Sequence, residues 1–219
     1  IKFILSEIGD FVSKNKMRVT FHPGPFNVLT SPHKKVVQNC IHDLKIHGQI
    51  FDLMNLPITP YNKINIHIGG AYGDKIESMK RFCQNFKYLP KSVKGRLTVE
   101  NDDRDSLYSV KDLYNGVYKV IGIPIVFDYH HHRFCSGDIT ENEALNLAVS
   151  TWGLIKPVVH YSESRNIEQK DDSIKPQAHS DYVYDYINTY GHSIDIMIEA
   201  KHKELAVLKY FEVHNKIAI

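Results

Sequence analysis

The chain has 219 residues, 42% of them hydrophobic and 24% charged, with a formal net charge of only +2. That length and apolar content suffice for one large core, so a single domain over residues 1–219 is expected. The near-neutral balance excludes a chain-wide basic surface and leaves any nucleic-acid contact to a local patch. Residues 1–13 carry Ile4, Ile8, Phe11 and Val12 at helical spacing, and RVTFH then reads as a strand ending at His22. After an HPGPF loop, Ser31 and Pro32 open a helix that runs to about Leu53, with Val36, Val37, Cys40, Ile41 and Leu44 as its buried stripe. INIHIGG is the next strand, and Asp74 caps a helix bearing Met79, Phe82, Phe86 and Leu89. LTVEND follows as a strand, and Ser109 with Asp112 forms a capping box before Leu113, Val117 and Ile121. IVFDY is a strand, after which Thr140 and Glu143 open a helix whose stripe, Leu145, Ala148, Val149 and Trp152, reads as core packing. VVHY, a long polar stretch over residues 162–180 and IMIEAK complete the order. A loop of that length in a compact domain is usually functional, and His179 ends it.

The three cysteines, Cys40, Cys83 and Cys135, are odd in number and scattered. They form no CxxC pair, which argues against a disulfide framework or a thiolate zinc site and fits a reducing compartment. No apolar run nears the length of a membrane span, and the N-terminus lacks the order of a secretory signal. A soluble intracellular protein is expected, with no compartment indicated. Strands alternating with helices define an α/β chain of the TIM-barrel type, of which six strand–helix units are visible. A closed barrel of this class needs eight, so either two strands lie upstream of Ile1 or the barrel is incomplete and open. The chain begins on Ile and directly on a helix, which is read here as favouring an upstream segment.

Six apolar runs end in a residue able to bind a metal: His22, His67, Glu100, Asp128, His160 and Glu199. Parallel barrels build their sites at the C-terminal ends of their strands, so one such residue per strand tip defines a site. Side chains alternate along a strand. If His67 points inward, Ile66 and Ile68 point out, as do Phe21, Val99, Phe127, Val159 and Ile198. Thr20, Asn65, Thr98, Val126, Val158 and Met197 then form an inner layer below the ligands. A lone strand histidine is more often a satisfied core residue, and a lone carboxylate at a strand end often caps a helix, but six together argue for a centre. Of the thirteen histidines, His33, His42, His47, His192, His202 and His214 fall in helices or connections and are read as surface residues.

Imidazole and carboxylate ligands suit zinc, manganese or iron alike, and the absence of cysteine removes any preference for zinc. The candidates exceed the needs of one ion. Two or three ions bridged by a carboxylate follow, with Glu100, mid-barrel by strand order, as the bridge. Clustered divalent ions suit phosphodiester hydrolysis, since together they activate water and stabilise the charge on the phosphate and leaving oxygen.

HPGPF, IHIGG-YGDK, VENDD, FDYHHH, VHYSES and IEAKHKE, in this order over nearly the whole chain, resemble the motifs of the UV-damage endonucleases. The resemblance implies a TIM barrel related to the apurinic endonuclease IV type and up to three divalent ions, typically manganese, with zinc, magnesium or cobalt as alternatives. It also implies damaged double-stranded DNA as partner, nicked immediately 5′ of a UV photoproduct. A monomer without membrane association is expected. Carried over by motif, His22, His67 and Glu100 hold one ion, while Glu100, Asp128, His160 and Glu199 hold a second. His131, three positions after Asp128, and His179 hold a third. Glu100, Asp128 and Glu199 are the catalytic carboxylates, and Lys75, Arg104, Arg133 and Arg165, in loops after strands, are candidate phosphate contacts.

Two positions depart from the family pattern. Val158 stands where the family has a lysine that becomes carboxylated and bridges two ions, and Lys156 lies about 6.6 Å lower on the same strand face, out of reach. Pro25 stands where the family has a glutamine that enters the duplex at the lesion, while Phe26 keeps the aromatic of that pair. Stacking by Phe26 is retained and the amide hydrogen bonds are lost, so broader damage specificity or weaker activity is expected. Two other readings stay open: a divalent-metal sugar isomerase or epimerase of the same barrel superfamily, and a non-catalytic damage-binding relative.

Overall fold

Each crossover returns the chain beside the strand it has just left, so the strands pair in sequence order. In the computed structural model, which describes residues 1–214, β1 (Ile64–Ile66), β2 (Leu97–Glu100), β3 (Ile125–Asp128), β4 (Val158–Tyr161) and β5 (Asp195–Ile198) form one sheet in the order β1-β2-β3-β4-β5. Every neighbouring pair is parallel. The last part of the expected single domain, residues 215–219, lies outside the described residues. Pairing is staggered: Glu100 sits opposite Val126 and His160 opposite Met197. A stagger of this kind curls a parallel sheet toward a barrel.

The helices, in chain order, are α1 (Lys2–Lys14), α2 (Lys34–Leu53), α3 (Lys75–Phe86), α4 (Lys91–Lys94), α5 (Val110–Leu113), α6 (Lys119–Ile121), α7 (Tyr129–His132), α8 (Glu141–Val149), α9 (Arg165–Gln169) and α10 (Glu204–Val213). Local sequence accounts for their starts. Asp74 accepts a hydrogen bond from the Glu77 N–H to open α3, and Ser109 with Asp112 and Thr140 with Glu143 form reciprocal capping boxes at α5 and α8. The helix expected through Ile121 is interrupted, since Tyr114–Tyr118 widen into a π turn between α5 and α6. α2 starts later than the Ser31–Pro32 signal, with His33 at its cap and the Ser31 hydroxyl accepting from the His33 N–H.

RVTFH is not a full strand. Phe21 makes one parallel bridge to Ile64, its N–H donating to the Lys63 carbonyl and its carbonyl accepting from the Asn65 N–H. Pro23, which has no N–H, ends the ladder immediately afterwards. The sheet therefore holds five strands and an extended edge segment where six strand–helix units were expected.

Between that segment and β5 the barrel is open. β5 is half-buried along its length, and Thr20, Val158, Met197, Ala200 and Val207 line the seam. Arg18 pins its base: Nη1 is 2.8 Å from Asp195 Oδ2, while Nε and Nη2 each donate at 2.9 Å to the carbonyls of Tyr61 and Lys156.

The strand alternation separates two cores. Ile66, Val99, Phe127 and Val159 face outward and are buried beneath the helices in one cluster, each worth about 1.5–3 kcal/mol of transfer free energy. Val126 and Val158 face inward and pack with Trp152, Ile155 and Met197 at the barrel base. Trp152 thus joins the inner core, its Nε1 donating to the Ile125 carbonyl at 2.8 Å. α1 differs from its apolar pattern, because Val12 and Gly9 are buried while Ile4, Ile8 and Phe11 are exposed.

Candidate metal centre

The open end of the barrel collects the strand-tip residues. Glu100 and Asp128 are the last residues of β2 and β3, His160 is the third of β4, and His67 and Glu199 stand just beyond β1 and β5. His22 follows the bridge at Phe21. Glu100 is the hub and is fully buried. Its Oε2 lies 2.8 Å from His22 Nε2 and accepts from Asn65 Nδ2 at 2.5 Å, and its Oε1 lies 2.9 Å from His160 Nδ1. The Glu199 Oε1 is also 2.9 Å from His160 Nδ1, and His67 Nε2 and His131 Nδ1 approach the Glu100 oxygens at 3.9 Å.

Two groups of donor atoms result, each within 4.8 Å of one another: His22, Glu100, His160 and Glu199, and His67, Glu100 and His131. Glu100 belongs to both. This grouping differs from the motif-based one, since His22 joins His160 and Glu199, while His67 joins His131. Asp128 and His179 stand outside both groups. Asp128 is fully buried beside them, with Oδ1 accepting from the His131 N–H at 2.8 Å and Oδ2 having no partner. His179 Nδ1 lies 3.0 Å from the Glu199 carbonyl oxygen and 3.7 Å from its Oε2, and its ring is 6.1 Å from that of His131. Among the three consecutive histidines, His131 faces the centre, whereas the rings of His130 and His132 pack on Phe134 and Phe127.

Burial and charge set the protonation states. Burial works against ionised Glu100, but His160, His22 and His67 outweigh it and hold the carboxyl well below its usual range. Burial likewise opposes charge on His160 and His67. Glu100 lifts the first to about 9, and Asp102 with Glu100 lifts the second to about 10. Glu199 is drawn down to about 2 against burial, mainly by His160, while burial itself pushes Asp128 up to about 7. Buried carboxylates stay ionised only beside compensating positive charge, and here protons on the imidazoles supply it.

Divalent cations fit this donor set. Every candidate atom is imidazole nitrogen or carboxylate oxygen, a carboxylate sits between two groups, and the buried Asp128 Oδ2, 3.9 Å from His131 Nδ1, has no hydrogen-bond partner. All three cysteines are buried, free and apart from the cluster. His33, His42, His47, His192, His202 and His214 belong to neither group.

Lys63, Asn101 and Asp102 were not singled out in the sequence, and Asn65 only as a residue of the inner layer. Lys63, just before β1, is 1% exposed and puts Nζ 3.3 Å from His160 Nε2, so a lysine does reach the interior beside His160, from a different segment than the one expected. Burial lowers its ammonium to about 8. Lys156 instead pairs with Asp195 at the strand starts. Asn65 holds Glu100, Asp102 lies 3.2 Å from His67 Nδ1, and Asn101 clasps Asp128 through both backbone groups, Nδ2 donating to its carbonyl at 3.0 Å and Oδ1 accepting from its N–H at 2.8 Å. The available signal was their polarity within apolar runs, NKINIH and TVENDD.

Around the rim, Pro25 lines the pocket with His22, His67, His131, His179 and Glu199, and Phe26 is 74% exposed. Arg133 is exposed. Lys75 pairs with Asp112 at 3.5 Å, Arg165 with Asp181 at 3.7 Å and Arg104 with Asp103 at 3.7 Å.

A curled parallel α/β sheet with a carboxylate-bridged histidine cluster at its strand tips places the chain among TIM-type barrels with a candidate divalent-cation centre. Residues 1–218 match the profile described as UV-endonuclease UvdE, and the chain belongs to that family. It is 38% identical over 217 residues to the UV DNA damage endonuclease of Bacillus pumilus (strain SAFR-032), covering 94% of this chain and 64% of that one. The protein of the same name from Bacillus velezensis is 37% identical with the same coverage. The chain thus spans less than two thirds of the length of these curated relatives. The crystal structure of SacUVDE superposes with a TM-score of 0.83 at 35% identity, over 99% of this chain and 72% of that one. A structure of L-ribulose 3-epimerase, at 12% identity and a TM-score of 0.62 over 98% and 72% of the two chains, shares the fold alone.

Proposed function

We propose that the chain is the core of a metal-dependent DNA repair endonuclease that nicks the strand immediately 5′ of a UV photoproduct. The observation that carries this reading is Glu100 shared between two groups of ligand atoms, in a chain of the UV-endonuclease family. His22, His160, Glu199 and Glu100 would hold one divalent ion, and His67, His131 and Glu100 another. Asp128 and His179 would complete the shell, and a third ion would draw on His131 and His179. Manganese is the ion proposed. Divalent ions held there supply charge stabilisation to the scissile phosphate and a nucleophile near neutral pH.

The protein's own groups do the rest. Asn65, Asn101 and Lys63 fix the orientation of Glu100, Asp128 and His160, as outer partners of metal ligands do. Phe26 enters the duplex where a photoproduct has weakened stacking, because poorly stacked bases cost less to extrude. Arg133, with Lys75 and Arg165, contacts phosphates and positions the strand. The open seam between the edge segment at Phe21 and β5 is where the further strands of an eight-stranded barrel would lie.

The test is incubation of UV-irradiated supercoiled plasmid with the protein and manganese. Nicking of irradiated but not of unirradiated plasmid, abolished by chelation, is expected. Absence of nicking at saturating manganese counts against the reading.

A further inference from the structure

Two adjacent loops at the rim of the centre are built alike. Phe26 follows His22, and Tyr72 follows His67, whose imidazole rings are 5.7 Å apart. Each aromatic ring lies over a glycine two positions before it in sequence. A Cβ on Gly24 would collide with the Phe26 ring, and one on Gly70 would come within 3.2 Å of Tyr72 Cε2. The loops also touch each other, since a Cβ on Gly69 would come within 2.6 Å of Thr30 Oγ1 and 2.8 Å of Val28. The loops that carry Phe26 and Tyr72 are therefore packed against one another.

Packing does not explain Tyr72. Its side chain is 50% exposed, and its hydroxyl has no hydrogen-bond partner among the described residues. Its backbone sits at φ 49°, in the left-handed region that disfavours side chains, although the chain places glycines at positions 69, 70 and 73 beside it. A bulky residue kept in a strained, exposed position points to function more than to stability. The ring is also held in place. The Arg81 guanidinium lies over it, 5.7 Å from the centroid, and is itself fixed by the Thr30 carbonyl and the Ser78 hydroxyl.

We infer that Tyr72 is a second stacking platform for the DNA strand, taking a base beside the position that Phe26 occupies. Aromatic platforms suit this task because every base has a π-face, and Arg81 over the ring adds positive charge to the platform. The inference rests on the reading of DNA as the substrate.

The experiment measures the anisotropy of a labelled, UV-irradiated duplex bound by the parent protein and by Tyr72→Gly, Tyr72→Phe and Tyr72→Leu. It is run without divalent cations so that catalysis plays no part, and thermal melts are recorded in parallel. Tyr72→Gly is expected to melt at or above the parent temperature, because glycine adopts this φ without strain, yet to bind about tenfold more weakly. Tyr72→Phe should bind like the parent and Tyr72→Leu like the glycine variant. Combining Tyr72→Gly with Phe26→Ala should multiply the two losses, as for separate bases. A parent that binds the duplex together with a glycine variant of undiminished affinity overturns this inference alone. A parent that binds no duplex at all overturns the substrate reading and the inference with it.

Discussion

Nε2 of His22 lies 2.8 Å from Oε2 of Glu100, although 78 positions separate the two residues in sequence. The contact exists because Phe21 is bridged to β1, which sets His22 over the tip of β2, where the sheet's stagger has already placed Glu100 next to His160. One carboxylate thus couples the edge of the sheet to its centre.

Removing that coupling should be far more damaging than removing a peripheral ligand. Glu100→Gln takes a charged donor from both ligand groups and is expected to lower cleavage by on the order of a thousandfold or more, with loss of manganese stoichiometry. His179→Ala, outside both groups, should cost about 10- to 100-fold. Single-turnover cleavage and manganese titration by electron paramagnetic resonance measure both. Equal residual rates in the two variants would contradict the ranking.

The metal-free protein should lose stability as pH rises from about 6.5 toward 8. His160 and His67 are raised in the folded state to about 9 and about 10. Their contribution is fully present below the unfolded imidazole value of roughly 6.5 and is lost as pH climbs through the folded values. Lys63, lowered to about 8, acts in the opposite sense only above that pH. The carboxylate Glu199, depressed to about 2, contributes above its unfolded value and is lost in strong acid. Saturating manganese should reverse the neutral-pH trend, since metal binding needs deprotonated imidazoles. Thermal melts across pH, with chelator and with manganese, decide it. A rising melting temperature between pH 6.5 and 8 in chelator would refute the assignment.

Asn101 carries a structural cost apart from chemistry. Its amide satisfies both the N–H and the carbonyl of Asp128, inside the barrel and away from water. Asn101→Ala removes both bonds; the Asp128 carbonyl keeps the first hydrogen bond of α7, whose cap it is, but its N–H loses this acceptor, and the protein should be destabilised by about 1–3 kcal/mol, a fall of roughly 3–10 °C in melting temperature. Since the Asn101 amide positions Asp128, whose Oδ1 in turn accepts from the His131 N–H, manganese affinity should drop as well. Asn101→Asp, which keeps the acceptor toward the Asp128 N–H, should fall between the two in stability. Differential scanning calorimetry checks the order.

The parallel sheet and the strand-tip cluster were legible because period-two alternation and a terminal His, Asp or Glu are local features. Ile66, Val99, Phe127 and Val159 turned outward into the helical core as alternation requires, and Val126, Val158 and Met197 turned inward. What was not legible depends on distance in sequence. Lys63 reaches His160 only because β1 and β4 curl around a shared interior, and no pattern near either residue announces it. RVTFH has strand composition, yet its pairing stops after Phe21, because Pro23 intervenes and no further strand lies on its other side among the described residues. The exposure of Ile4, Ile8 and Phe11 on α1 is equally a tertiary matter, since helical spacing states that a stripe exists and not that anything covers it.

Pro25 offers the reverse kind of substitution, one that should add a property. It lines the pocket beside His22, and its neighbour Phe26 already stands 74% exposed. Proline can fill space next to a flipped dinucleotide but donates no hydrogen bond to the bases left opposite it. In Pro25→Gln an amide with both donor and acceptor would stand there, and a site that hydrogen-bonds its target discriminates more strongly than one that merely accommodates it. The preference for irradiated over intact duplex should rise about tenfold, one well-placed hydrogen bond being worth roughly 1–1.5 kcal/mol. Stability should change little, because the side chain is on the surface. Phe26→Ala in the same assay should lower binding to the irradiated duplex without lowering the melting temperature, as loss of an exposed stacking surface predicts. Competition binding between the two duplexes measures both effects. A glutamine variant with unchanged preference would mean that lesion choice is set by the cost of extruding the damaged bases and not by contacts at position 25.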